Sequence, residues 1–177
     1  VPYSNFIAYA EFFKLLSENY KDKVVWSFKP HPLLKQKLYL HKNWGISKTD
    51  KYYEYWSSQE YSQLDEGEYI DLFRTSNAMI HDSGSFLAEY LYIQKPVLFL
   101  LSKLNSGQHY SEFGQSALDS CEKAYSKQDI QKFIDNVILD TQIKKEHLIF
   151  LNKYICPYFV NQSPSERILN KISEQLL

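Results

Sequence analysis

The chain reads as an α/β protein built on a parallel sheet, and three observations predict it. Short apolar runs fit for strands alternate with segments whose apolar residues recur at helical spacing. "AMIH", "DSGS", "FLAEYLYI" and "PVLFLL" follow one another as strand, break, helix and strand, the order of a βαβ unit with a right-handed crossover. Val97 to Leu101 carries no polar residue, as a strand covered on both faces requires.

The elements follow in order. Phe6, Tyr9, Phe12, Phe13 and Leu16 recur at helical spacing and predict an amphipathic helix over residues 4–20. "KDK" ends it, and "VVWSF" is expected as a short buried strand that stops at "KPHP". "LLKQKLYLHKN" is compatible with a helix, and "SKTDKYYEYWSS" with another starting near Thr49 or Asp50. "LDEGEY" is turn-like, and "IDLFRTS" predicts a short helix from about Tyr69. After the βαβ unit, "SKLNSGQHYSEFGQS" reads as a polar loop, and "DIQKFIDNVIL" and "KKEHLIFLNKYI" as helices. Ser163 to Glu166 spells S-P-S-E: a capping serine, proline at the first helical position and a glutamate able to reach back. Ile168, Leu169, Ile172 and Leu176 supply the apolar stripe of that last helix.

Composition narrows the function. A chain of 177 residues suits a single domain, 1–177. A formal net charge of −1 provides no long-range field for nucleic acid or an anionic membrane. Cys121 and Cys156 are too few for a disulfide framework and fit a reducing cytoplasm. No apolar run approaches spanning length and no signal peptide is visible. The chain opens at Val1, with a helical pattern a few residues later, as expected of a domain excised from a longer protein. Aromatics reach 16%, with 15 tyrosines, which fits either an aromatic core or a face that packs on a partner domain.

The "DSGS" break is the first candidate site. Asp82, Ser83, Gly84 and Ser85 fall between the end of a strand and the start of a helix, the edge where open α/β sheets bind ligands. First-turn N–H groups lack intrahelical acceptors and the helix dipole adds partial positive charge. Gly84 lets a phosphate approach the backbone, and the Ser83 and Ser85 hydroxyls can donate to the same anion. Glu89 lies one turn beyond Ser85 and leans back toward the helix start, where its carboxylate can accept from ribose hydroxyls. The competing reading is an ordinary N-cap with Glu89 facing solvent.

"KPHP" is the second. Pro30 and Pro32 stiffen the segment and hold Lys29 and His31 extended, so His31 is fixed at the end of the "VVWSF" strand. On a shared sheet edge its imidazole can donate to a departing diphosphate. Without "DSGS", a turn with an incidental histidine is the simpler account. Asp65, Glu66, Glu68 and Asp71 lack a supporting histidine pattern, so no metal is expected. His41 and His147 read as surface or packing residues, and His109 and Tyr110 as possible borders of the site.

Taken together, "KPHP", "EYIDLFRTSNAMIHDSGSFLAEY", "KPVLFL" and "SPSERI" resemble the carboxyl-terminal half of CDP-glycerol glycerophosphotransferases, from about Val24 onward. The resemblance implies a Rossmann-like parallel sheet flanked by helices, the C-terminal domain of a GT-B fold. By position His31 matches the family's histidine, Asp82 its aspartate, Ser85 the second of its two serines and Glu89 its helical acid. It implies nucleotide and diphosphate contacts for these residues, and a cytoplasmic transferase domain acting in teichoic acid or capsule synthesis. The donor would be a nucleotide-activated glycerol phosphate or sugar, with no other cofactor. An amino-terminal domain across the cleft would carry the acceptor site and any attachment to the inner face of the membrane. Ser83 and Gly84 depart from the family's Tyr and Ser. "DSGS" is also similar to a stretch of UDP-N-acetylglucosamine 2-epimerases, so base and transferred group stay open. A non-enzymatic interaction domain is the alternative of another class.

Overall fold

The computed structural model describes residues 5–101, 110–140 and 142–176. In chain order its first elements are α1 (Phe6–Asn19), β1 (Trp26–Phe28), α2 (Leu34–Tyr39), α3 (Gly45–Ser58), β2 (Ser62–Leu64), α4 (Ile70–Thr75) and β3 (Met79–His81). Then come α5 (Phe86–Glu89), a 3-10 turn at Tyr90–Ile93, β4 (Val97–Leu100), α6 (Glu112–Ser120) and β5 (Glu122–Ala124). The chain ends with α7 (Lys127–Leu139), α8 (Lys145–Tyr154), a 3-10 turn at Cys156–Phe159 and α9 (Pro164–Leu176).

The architecture is mixed α/β, and its strand pairs are parallel. Two small sheets replace the single one expected: β1 beside β2, and β3-β4-β5 with β4 central. Met79 pairs with Val97 and His81 with Phe99, while Leu98 pairs with Glu122 and Leu100 with Ala124. Side chains alternate across a strand, which explains why all four residues of β4 are buried. Val97 and Phe99 enter a cluster with Leu87, Tyr90, Leu118 and Phe150. Leu98 and Leu100 enter another with Leu16, Ala124, Ile130 and Phe133. Helices therefore cover both faces of this sheet, α5, α6 and α8 on one and α1 and α7 on the other.

A third cluster surrounds β1, where Ala10, Leu34, Leu38, Trp44, Tyr52, Tyr53 and Trp56 are buried. Phe28 sits 5.6 Å from each of the Tyr52, Tyr53 and Trp56 rings. Much of the aromatic excess is thus interior packing, each such pair adding about 0.5–1.5 kcal/mol beyond area burial. Phe13 and Trp26 pack against this cluster and against the one beneath Leu98, so the two sheets share a core through side chains.

Several boundaries differ from the sequence reading. β1 is shorter than "VVWSF" and not fully buried: Val25 is 77% exposed, outside the strand. α3 starts at Gly45, not near Thr49. Gly45 has φ 69°, a left-handed conformation that glycine adopts freely, and this turns the chain from α2 into α3. Thr49 is instead buried inside the helix, its hydroxyl donating to the Gly45 carbonyl at 2.7 Å. Of the predicted polar loop, residues 102–109 lie outside the described residues. Its end is helical, because Ser111 caps α6 by accepting the Gly114 N–H. β2 and β5, "SQL" and "EKA", escaped notice because three residues without strong strand formers carry no periodicity. "FLAEYLYI" is α-helical only to Glu89 and then tightens to 3-10 geometry, ending at Gln94 in a left-handed conformation. Among the described residues no helix is long and apolar enough to cross a membrane.

Candidate functional site

The "DSGS" turn does sit where the sequence predicts, between the carboxyl end of β3 and the start of α5. Gly84, Ser85 and Glu89 are exposed; Asp82 and Ser83 are half-buried. The Ser83 and Ser85 hydroxyls make no hydrogen bond among the described residues, and Ser85 does not cap α5. Its backbone is already helical there (φ −64°, ψ −38°), so the N-cap alternative does not apply to Ser85.

Asp82 has a partner within the fold. Its carboxylate accepts the main-chain N–H of Asn5, the residue that opens α1. The Asn5 side chain does not cap α1; its Nδ2 donates to the Leu100 carbonyl at 2.9 Å, at the end of β4. Asn5 thus ties the head of α1 to the ends of two neighbouring strands. Asp82 thus holds a helix N-terminus, but that of α1 and not of α5.

Tyr69 stands just before α4, and the Glu89 carboxylate is the main reason its phenol pKa is raised. Tyr69 also packs against Phe86 at 4.9 Å, which fixes α4 over the start of α5. Glu89 therefore stands on the exposed side of the helix, and its charge is felt by the Tyr69 phenol. Tyr110 closes the opposite side: its hydroxyl lies 3.6 Å from where a Cβ on Gly84 would be. Its pKa is raised by burial and then by the Asp82 charge. Tyr110 thus borders the turn as expected, while His109 lies outside the described residues.

His31 belongs to the other sheet. It is exposed, just after β1, and its Nδ1 accepts the Leu33 N–H at 3.1 Å. A neutral His31 then carries its proton on Nε2, free to donate. No interaction joins it to residues 82–89 among the described residues. The "KPHP" segment is held instead by Lys29, whose ammonium bonds the Gly67 carbonyl and pairs with Asp65 at 3.8 Å. The acidic "LDEGEY" stretch is accordingly a turn that clamps Lys29, with the Gly67 N–H donating to Asp65 at 3.1 Å.

His147 is the packing residue expected; its Nε2 donates to the Leu91 carbonyl at 2.6 Å. His81, by contrast, was not singled out, although it precedes Asp82 directly. It is 7% exposed and lies edge-on to Phe99, with ring centroids 5.0 Å apart. The strand alternation that puts Met79 toward the core puts His81 there too, and this was the available signal.

Among the described residues no group of three or more His, Cys, Asp or Glu is placed to hold a metal. A shallow depression of about 430 Å³ lies elsewhere, between α1 and α3, lined by Glu11, Lys14, Trp44, Lys48 and Tyr52 among others. It contains none of the predicted site residues. Compared with known proteins, the chain matches no family, no curated protein and no solved structure.

Proposed function

We propose that the chain is the donor-binding domain of a GT-B transferase, with a Rossmann-like sheet whose β3–α5 turn holds the diphosphate of a nucleotide-activated donor. CDP-glycerol is the favoured donor, and glycerol phosphate or a sugar the group moved to a cell-surface polymer or glycan. The observation that carries this reading is the exposed Gly84–Ser85 turn at the carboxyl end of a parallel strand, with exposed Glu89 one helical turn on. Main-chain amides of residues 83–85 and the two serine hydroxyls hold phosphate, and Glu89 accepts from the ribose; His31, after a strand of the other sheet, has no part in holding this diphosphate. Asp82 supports the turn through α1 and does not touch the ligand. The acceptor and general base belong to an amino-terminal domain, so this chain binds nucleotide and turns nothing over. A cytoplasmic location follows from the donor.

Gly84 supplies the test. Its φ is not left-handed, and an added Cβ meets Tyr110 only at ordinary contact distance. Gly84→Ala is therefore expected to fold as well as the parent, or better by about 0.4–1 kcal/mol through a less flexible unfolded chain. It should nevertheless block close approach of a phosphate. A nucleotide at about 100 times its dissociation constant stabilises by about 2.7 kcal/mol, a rise of roughly 5–10 °C at this size. CDP-glycerol or CMP should give that rise in the parent and not in Gly84→Ala. UDP-sugars winning instead would favour an epimerase-like or glycosyltransferase reading. No response to any nucleotide would remove the proposal.

One observation favours a second reading, a domain that works by docking a partner protein. Ile168, Leu169 and Ile172 form an apolar stripe along α9 and are 61%, 62% and 50% exposed.

A further inference from the structure

A buried indole N–H normally finds an acceptor, because leaving it unpaired costs free energy. All three tryptophans of the chain depart from this, in two ways. The indole nitrogens of Trp26 and Trp56 are sealed from solvent without a partner. Trp44 is 8% exposed, and its indole N–H makes no hydrogen bond among the described residues either. Unlike the other two, that N–H is not sealed off. Phe6 and Tyr52 pack on the ring, with centroids 5.2 and 5.4 Å away, and the Lys48 ammonium covers its face at 4.6 Å. The N–H edge therefore opens into the depression of about 430 Å³ between α1 and α3, which Trp44 lines.

The surroundings of that N–H are basic. Lys14 of α1 and Lys51 of α3 line the same depression, and neither has a carboxylate partner among the described residues. Glu11, the acid in the lining, is answered by Lys48 at 3.5 Å. Ser47 adds a hydroxyl that makes no hydrogen bond among the described residues. α3 brings no capping side chain and no acid to its first turn, so no side chain of that turn offsets the positive end of its dipole. Two unanswered ammonium groups, an N–H and an O–H thus share one opening, and the Trp44 and Tyr52 rings give it an apolar wall.

We propose that this depression is a second binding site, and that it takes an organic phosphate monoester. Near pH 7 such an ester carries close to two negative charges, matching the two ammonium groups that Lys14 and Lys51 leave unbalanced. Its oxygens accept from the Trp44 indole N–H and the Ser47 hydroxyl, while the two lysines supply charge-assisted bonds. The volume lies within the range of small-molecule pockets, about 300–1,000 Å³, and exceeds what a bare phosphate fills, so the organic group rests against Trp44 and Tyr52. Packing already holds the Trp44 ring, and its N–H meets the anion without a further ordering cost. The site shares no residue with the 82–85 turn, so it stands whether or not that turn binds nucleotide.

The test is nitrogen-15 NMR of the indole N–H resonances on the full chain, with phenyl phosphate, inorganic phosphate and phenol as probes. The Trp44 resonance is assigned by its loss in Trp44→Phe or, should that variant fold poorly, by its through-space contacts to the Phe6 and Tyr52 rings. Phenyl phosphate should move it saturably, inorganic phosphate should do so at higher concentration, and phenol should leave it in place. Lys14→Gln and Lys51→Gln change side chains without ion-pair partners and should melt with the parent. Each should weaken phenyl phosphate about tenfold, the scale of one hydrogen bond to a charged group. A Trp44 resonance that phenyl phosphate does not move, or a titration that is the same in both lysine variants as in the parent, would overturn the proposal. Equal affinity for the two phosphates would overturn the choice of an ester.

Discussion

His81 stays neutral because burial strips the water that would solvate an imidazolium, and this pushes its pKa down from 6.5 to about 4. The unfolded chain then binds more protons than the folded one between those two values. Stability is therefore full above about pH 6.5 and falls as the pH drops toward 4, by at most about 3 kcal/mol from this group. Urea midpoints measured from pH 7.5 to 4.5 should show the decline, and His81→Phe should flatten it. His147, also lowered by burial, contributes in the same direction and leaves a residual slope. Asp82 offers a second expectation. Asp82→Ala strips the Asn5 N–H of its acceptor and should cost about 1–3 kcal/mol. The loss should show as faster amide exchange in the first turn of α1, with the β4 amides unchanged. Its partner was not legible in sequence, because 77 residues separate Asp82 from Asn5 and no local pattern encodes such a pairing.

Elements were legible in proportion to their length and periodicity. α1, α7 and α8 each carry a recurring apolar face and were found, whereas the three-residue strands β2 and β5 were invisible. β4 was found for a different reason, since four consecutive apolar residues between two helical layers allow little else. All four of its residues are buried. Leu98→Ala, at a position 1% exposed, should cost about 2–5 kcal/mol and lower the melting temperature by roughly 5–15 °C. α9 behaves in the opposite way. Its predicted capping box is present: the Ser163 main chain donates to Glu166 at 2.7 Å, and the Glu166 N–H donates to the Ser163 hydroxyl at 3.3 Å. Ser163→Ala should remove about 1 kcal/mol of local helix stability. Circular dichroism should register fraying while the melting temperature of the core stays put, because α9 buries little.

At the scale of the molecule, the α/β class and the position of the "DSGS" turn followed from the sequence, since both depend on one strand–break–helix–strand segment. The division into two sheets did not. It turns on which strand ends reach hydrogen-bonding distance, and Val25, apolar yet exposed, gives no hint of it. Likewise His31 and the 82–85 turn each lie just after a strand, but those strands belong to different sheets. The pairing of these two sites depended on a shared edge that residue types alone do not specify.

α1 has a mechanical role that its own sequence conceals. Its 14 residues make a rod of about 21 Å, pinned at its head to the ends of β3 and β4. Along its length Phe6, Ala10 and Phe13 lodge in the aromatic cluster, while Leu16 sits beneath the other sheet. Such a crosstie makes it hard to melt one half of the structure and leave the other intact. Calorimetry should accordingly record one heat-absorption peak, with fluorescence of Trp44 and Trp56 changing in step with it.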